Sequence, residues 1–327
     1  MNTSRFKKFV IGTLAGGLGG LMLGIAPSAA ADWPSHPIQI IVPFAAGGSI
    51  DITMRTIAPG LGKRLGTSVV VVNKPGGGAT IGMNEVAKAK PDGYTLGAAS
   101  FAFAANPVVL QHIPYNELTD FQPVTQIAES PMIMLVNPKT PVKTVKEFIA
   151  WVKSKPAGSL NYGSVGVGSS GHLMTELFMA KTGLKMKHVP FTHGPLGPLA
   201  RGQTQLQIGP IPSCIPWVKD GRLRVIGVTS LKPDPTVPGV EPVSNTVPGF
   251  DTFEWPGLVA PKGTPMDIVN KIQKAVYETV HEPAVKERLA KLGSQPVGST
   301  PDQFAAFIKN QVETWAKLGQ QINMAKK

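Results

Sequence analysis

Two turns rich in glycine and serine carry most of the chemistry that this sequence offers. The first, Ala45-Ala46-Gly47-Gly48-Ser49-Ile50-Asp51, follows the apolar run 38–44 (IQIIVPF) and leads into a helical pattern. The second, Val165-Gly166-Val167-Gly168-Ser169-Ser170-Gly171, follows the run 160–164 and also leads into a helical pattern. A strand, a glycine turn and a helix start together present free backbone N–H groups and the positive end of a helix dipole, which favour an anion. Glycine lets the backbone come close to a ligand, and Ser49, Ser169 and Ser170 add hydroxyl donors. Either turn alone reads equally well as a tight connection with capping hydroxyls. Two of them in one chain point to a shared anion site.

Residues 166–171 also match G-x-G-x-x-G between a strand and a helix, the dinucleotide fingerprint. That chemistry needs an acid at the end of the next strand to hold a ribose. Here the strand ends Pro190-Phe191-Thr192-His193, so no nucleotide cofactor is expected. No P-loop, no G-x-S-x-G elbow and no H-E-x-x-H occur. The six histidines are scattered. His172 stands on the first turn after the second glycine loop. His193, on a loop rich in glycine and proline, is a candidate ligand contact. Ser169 and Ser170 with His172 nearby leave an exported carboxylate-ester hydrolase as a rival reading. On a helix start, however, those hydroxyls more naturally serve as caps. No catalytic residue and no metal ligand is assigned.

The elements that must position these turns follow a regular rhythm. Strands at 38–44, 69–72 and 94–98 alternate with helices at 51–65 (Pro59 and Gly60 disturbing its middle) and 81–89. A second round has helices at 145–153, 171–181 and 215–220 and strands at 160–164, 187–191, 206–208 and 223–229. Such alternation predicts parallel α/β sheets, and two rounds predict two lobes. The apolar runs 121–136, interrupted by Ser130-Pro131, and 253–260 lie between the rounds and suit strands that pass from one lobe to the other. The tail from 265 to 327 is mostly helical, with Thr300 as an N-cap before Pro301.

Residues 1–31 have the layout of a secretory leader: Arg5, Lys7 and Lys8, an apolar stretch 9–25, and a small-residue site at Ala29-Ala30-Ala31. No cysteine near the cleavage site suggests a lipid anchor. Of 327 residues, the 31 of the leader leave 296, room for two lobes. The single cysteine, Cys214, excludes an internal disulfide and thiolate metal sites. The leader takes three of the 32 basic residues, so the mature chain carries 29 against 20 acidic ones, a charge of +9. That charge draws small anions inward. Basic residues spread singly along an exported chain give no support to nucleic-acid binding.

Over nearly all its mature length the chain resembles the substrate-binding proteins of tripartite tricarboxylate transporters, the Bug family. The resemblance rests on ordered motifs: Trp33-Pro34-Ser35-His36-Pro37-Ile38; Val42-Pro43-Phe44 with Gly47, Gly48 and Asp51; Val70-Val71-Val72-Asn73-Lys74-Pro75-Gly76; Ala87-Lys88-Ala89-Lys90-Pro91-Asp92-Gly93-Tyr94-Thr95-Leu96; Leu160-Asn161-Tyr162-Gly163-Ser164; Gly221-Arg222-Leu223-Arg224; and Leu258-Val259-Ala260-Pro261 with Gly263-Thr264-Pro265. It implies a two-lobed periplasmic binding protein (Venus flytrap) fold. Residues 32–125 with 256–327 would form one lobe and residues 126–255 the other. It implies a monomeric periplasmic receptor that hands an organic carboxylate to integral-membrane permease subunits, or signals its presence to a membrane kinase, without cofactor. The contacts implied are Phe44, Ala45, Ala46, Gly47 and Gly48 from one lobe and Ser164, Gly166, Val167, Gly168, Ser169 and Ser170 from the other. Thr80 and Ser100 would line the far side, and Asp51 would organise the first turn.

Two departures bear on the ligand. Phe191-Thr192-His193-Gly194 stands where the family has Tyr-Lys-Gly-Gly. Gly209 stands where members carry an Asp that suits an ammonium or hydroxyl group. The missing acid argues against an amino acid. It leaves a rigid anion without an amine, such as the aromatic dicarboxylate terephthalate, as the expected ligand.

Overall fold

The computed structural model describes residues 33–191 and 194–321. The proposed leader, residues 1–31, and His193 lie outside the described residues. From Pro34 onward the described residues form one compact unit. Its chain runs β1 (Ile38–Val42), α1 (Ser49–Leu65), β2 (Val69–Asn73), a 3-10 turn at Gly77–Ala79, α2 (Thr80–Ala87), β3 (Thr95–Ala99), α3 (Phe101–Val109) and β4 (Phe121–Gln126). It continues through β5 (Ala128–Val136), α4 (Val145–Lys153), β6 (Asn161–Ser164), α5 (Ser170–Thr182), β7 (Lys187–Pro190), α6 (Leu196–Ala200), β8 (Gln207–Pro210), α7 (Ile211–Lys219) and β9 (Arg224–Val228). The last part is β10 (Phe253–Glu254), β11 (Gly257–Pro261), α8 (Met266–Val280), α9 (Pro283–Lys291), β12 (Gln295–Pro296) and α10 (Pro301–Gln321).

Two five-stranded sheets give a two-lobed architecture. The first has the order β2-β1-β3-β11-β4. The run of Val and Ile in β1 is buried almost throughout, as a central strand covered on both faces requires. β1 pairs parallel with β2 and β3, whereas β11 is antiparallel to both β3 and β4. In the second five-stranded sheet β5 lies antiparallel between β8 and β9, and a separate two-stranded sheet pairs β6 parallel with β7. A parallel bridge between Tyr162 and Leu206 links this pair to the start of β8. The first sheet is therefore mixed and the second antiparallel, not parallel as expected. β5 and β11 are the cause: each enters its sheet from the other lobe and so runs against the strands already there.

Those entries are two adjacent crossings. β4 passes into β5 through Ile127, and β10 passes into β11 through Trp255 and Pro256. The Ile127 N–H donates to the Pro256 carbonyl at 2.9 Å. β10 pairs with β5 at Glu254–Ser130 and Phe253–Pro131, and β12 pairs with β5 at Glu129 and Ala128. The run 121–136 thus breaks at Ile127 rather than at Ser130-Pro131, because Pro131 is tolerated in a two-residue pairing. Buried Trp255 meets Phe304 and Phe307 of α10 edge-on, at 5.8 and 5.2 Å between ring centroids. The last helix is thereby anchored to the crossing.

Two further differences have local causes. α1 runs unbroken through Pro59 and Gly60, because its apolar face holds it against α8. A Cβ at Gly60 would lie 2.6 Å from the Thr279 methyl, so glycine permits that approach. α3, which contains Pro107, is not among the expected elements. It forms because Phe101, Phe103, Ala104, Ala105 and Val108 are all buried, and their burial outweighs the one backbone bond that Pro107 removes.

Candidate functional site

The first glycine turn is built from beneath. Asp51, 2% exposed on the first turn of α1, accepts the Gly47 N–H at 2.9 Å, the Asn73 amide at 2.8 Å and the Arg55 Nε–H at 3.1 Å. The same Asn73 amide donates to the Phe44 carbonyl, and Arg55 donates to Asn73 Oδ1. Burial pushes the Asp51 carboxyl up. Hydrogen bonds from Arg55, Gly47 and Asn73, with the Arg55 charge, outweigh burial and hold it below its ordinary value. Gly47 has φ +84°, a left-handed conformation natural to glycine. Gly48 provides no side-chain cap to α1, so the N–H groups of its first turn face the site uncapped.

The second turn rests on a buried polar cluster. Ser169 caps α5 by accepting the His172 N–H at 3.4 Å and itself donates to the Gly166 carbonyl at 2.7 Å. The Gly168 N–H donates to His172 Nδ1 at 3.1 Å, and the Gly166 N–H to Ser164 Oγ at 3.0 Å. Ser164 Oγ lies 2.7 Å from His188 Nε2, and the rings of His172 and His188 stack at 4.0 Å. Below them the Tyr162 hydroxyl donates to Glu176. Burial, with the neighbouring His188 adding to it, pushes the His172 pKa down to about 4. His172 is therefore a neutral acceptor for Gly168. Burial also raises the Glu176 carboxyl, partly offset by the Tyr162 hydrogen bond.

The fold brings both turns to one place. A cavity of about 270 Å³ is lined by Phe44, Gly48, Ser49 and Ile50 from the first turn and by Val165, Gly168, Ser169 and Ser170 from the second. Ser100, Phe101 and Ala102 at the start of α3 close it. It shares Val165, Ser170 and Glu254 with a larger chamber of about 480 Å³. That chamber has mainly apolar walls, Met132, Pro195, Leu196 and Trp217 among them, with Ser164, Gln207 and Ser213 as polar groups. No Lys or Arg lines either space. The positive potential for an anion comes from the N-termini of α1 and α5.

Of the expected contacts, Phe44, Gly48, Ser100, Gly168, Ser169 and Ser170 line the smaller cavity, and Ser164 and Ser170 the larger. Ala45, Ala46, Gly47, Gly166 and Val167 belong to the turns but not to the walls. Thr80 donates to the Gly77 carbonyl at 2.8 Å and lines neither space. Gly209 lies off the chamber: a Cβ there would meet the Gln207 amide at 2.9 Å and Cys214 Sγ at 3.0 Å. Ser49 and Val165, named in the two turns, line the walls as well; sequence reasoning missed Gln207 and Glu254. For Glu254 a signal existed, since it is the one acid in the apolar inter-lobe run 253–260. Among the described residues no group of three His, Cys, Asp or Glu side chains could hold a metal ion, and no helix is long and apolar enough to cross a membrane.

Residues 53–324 match the model of the tripartite tricarboxylate transporter family receptor. The chain is 34% identical to Protein BugT of Bordetella pertussis over 299 residues, covering 90% of this chain and 91% of that protein. Two solved structures from Rhodopseudomonas palustris are similar throughout. One, solved with adipate, is 32% identical with a TM-score of 0.76 and covers 90% of this chain and all of its own. The other, MatC with bound malate, is 30% identical with a TM-score of 0.72 and covers 88% of this chain and all of its own.

Proposed function

Since the chain belongs to the tripartite tricarboxylate transporter receptor family, we propose that it is a periplasmic receptor for an organic carboxylate. The observation that carries this reading is the cavity shared by the two glycine turns, one at the N-terminus of α1 and one at the N-terminus of α5. A carboxylate placed there accepts backbone N–H groups from both turns and hydroxyls from Ser49 and Ser100. No reactive group is required of the protein: Ser169 is engaged as a cap, and His172 is turned to the Gly168 N–H. The ligand is captured unchanged, and the occupied form is presented to integral-membrane permease subunits. The receptor acts as a monomer, with lobe boundaries at 125/126 and 255/256 and a leader removed after residue 31. Adipate and malate in the two similar structures support a carboxylate as the ligand class.

The rest of the ligand occupies the apolar chamber. Its volume of about 480 Å³ lies in the usual range for small-molecule sites, about 300–1,000 Å³. A rigid apolar body suits it, as in an aromatic acid; terephthalate is the specific diacid to try. The test is thermal melting of the mature chain with citrate, succinate, aspartate, adipate, benzoate and terephthalate. A ligand at 100 times its Kd stabilises by about 2.7 kcal/mol, a shift of several degrees. A shift with one acid, recovered chemically unchanged, is the expected result. Hydrolysis of a carboxylate ester by the protein would overturn it.

A further inference from the structure

Glu254 occupies an unusual position. It belongs to β10, opposite Ser130 on the crossing strand β5, and it lines both the small cavity and the apolar chamber. The side chain of Ser170, the first residue of α5, lines the same two spaces and favours the ionised form of the Glu254 carboxyl. Glu254 is the only ionisable side chain among the residues that line the two spaces. A carboxyl half-buried against apolar walls is desolvated without a cation to balance it. Burial accordingly pushes it above its ordinary value, and Ser170 offsets this only in part.

A second acceptor stands nearby. Gln207 of β8 is 5% exposed and lines the same chamber. Its Oε1 is buried with no hydrogen-bond partner among the described residues. Buried acceptors without donors cost free energy unless something supplies the donor. One such acceptor, beside the Glu254 carboxyl on the wall of an otherwise apolar chamber, fits a ligand whose far end carries N–H or O–H groups.

We propose that Glu254 is a specificity-determining residue that selects, at the end of the ligand opposite the carboxylate, a hydrogen-bond donor: an amide, a hydroxyl or an ammonium. This rests on the carboxylate-receptor reading above and narrows it, ranking a donor-bearing aromatic acid ahead of terephthalate. The ligand is a carboxylate with an apolar middle and a donating far end. A second ionised carboxylate in the chamber would face the Glu254 carboxyl with no cation beside it. The absence of an acid at Gly209 therefore does not exclude an amine-bearing ligand, because the acid enters from the crossing strand instead.

The test compares four probes that share one ring: benzoate, terephthalate, 4-carbamoylbenzoate and 4-(aminomethyl)benzoate, titrated calorimetrically into the mature chain. The two donor-bearing acids are expected to bind about tenfold tighter than terephthalate, as one additional hydrogen bond to the Glu254 carboxyl allows. In Glu254→Gln, which keeps the shape and removes the ionisable carboxyl, the preference for the ammonium probe over benzoate is expected to fall about tenfold. In Glu254→Leu the preference for both donor-bearing probes is expected to vanish. Ratios within one variant are compared, so partial misfolding does not imitate the effect. Terephthalate binding as tightly as the donor-bearing acids would overturn the inference and leave the carboxylate receptor standing. So would a preference that persists in Glu254→Leu. Binding of none of the four by the unaltered chain, with no response to the wider acid panel, would overturn the receptor reading along with it.

Discussion

Asp51 holds the first turn without facing the ligand. Its carboxylate ties Gly47, Asn73 and Arg55 together, so Asp51→Ala leaves several polar groups unpaired at once. Urea unfolding is expected to show a loss of roughly 2–3 kcal/mol, and calorimetry a carboxylate affinity reduced at least about tenfold. Full affinity in that variant would remove Asp51 from the account. His172 gives a pH signature. Burial holds its folded pKa at about 4, below the ordinary 6.5, so between those values the unfolded chain binds the extra proton. Its contribution is present at neutral pH and is lost as the pH falls from about 6.5 towards 4, up to about 3 kcal/mol. Glu176, with a raised carboxyl, acts in the opposite direction above its ordinary value. Comparison with His172→Gln isolates the histidine: the variant's melting temperature is expected to fall less steeply over pH 7 to 4. Parallel curves would show that His172 does not titrate as described. The two turns were legible from glycine and serine spacing alone. Beyond Asp51, which the resemblance gives as organiser of the first turn, the support beneath them was not, because Asn73 reaches Asp51, and His188 reaches Ser164 and His172, only through tertiary packing.

Elements with strong local signals were the readable ones. Thr300 caps α10 as its sequence suggests. It accepts the Gln303 N–H at 3.2 Å, and Gln303 Oε1 accepts the Thr300 N–H at 2.9 Å, a reciprocal capping box. Thr300→Ala should cost about 1 kcal/mol, read from the denaturation midpoint. A cost near zero would mean that contacts of Trp315 and Leu318 alone hold the helix. α4 was equally readable, with Thr144 capping the Glu147 N–H ahead of an amphipathic run. The crossings were harder: apolar runs show that a strand exists, not which way it runs or where it changes sheets. The approach of α3 to the second turn was invisible. Gly168 has φ +81°, and a Cβ there would lie 2.7 Å from a Val109 methyl. Gly168→Ala therefore meets both backbone strain and a clash between the lobes. Its carboxylate affinity should drop at least about tenfold, while Gly168→Ala combined with Val109→Ala recovers only the part due to the clash. Unchanged affinity in the single variant would show that the turns need not meet this closely.

At the scale of the molecule, the site and the crossing are one piece of structure. β10 carries Glu254 into the chamber and pairs with β5 beside Ile127, while Trp255 locks the same strand to α10. Ligand seated between the turns thus bears on both lobes and on the strands that join them. Hydrogen exchange is expected to slow on binding at 44–49, 164–170 and along 127–131 and 253–256. Protection at one turn alone would contradict a shared site. The central claim, that one carboxylate is held by both turns, is tested most directly by a crystal structure with the most strongly stabilising acid of the panel. The account predicts carboxylate oxygens within about 3 Å of backbone N–H groups from both 44–49 and 164–170, with the ligand body in the chamber beside Glu254. A carboxylate found instead in the surface groove along α1 and β2, where Arg55 and Lys63 offer cations, would contradict it.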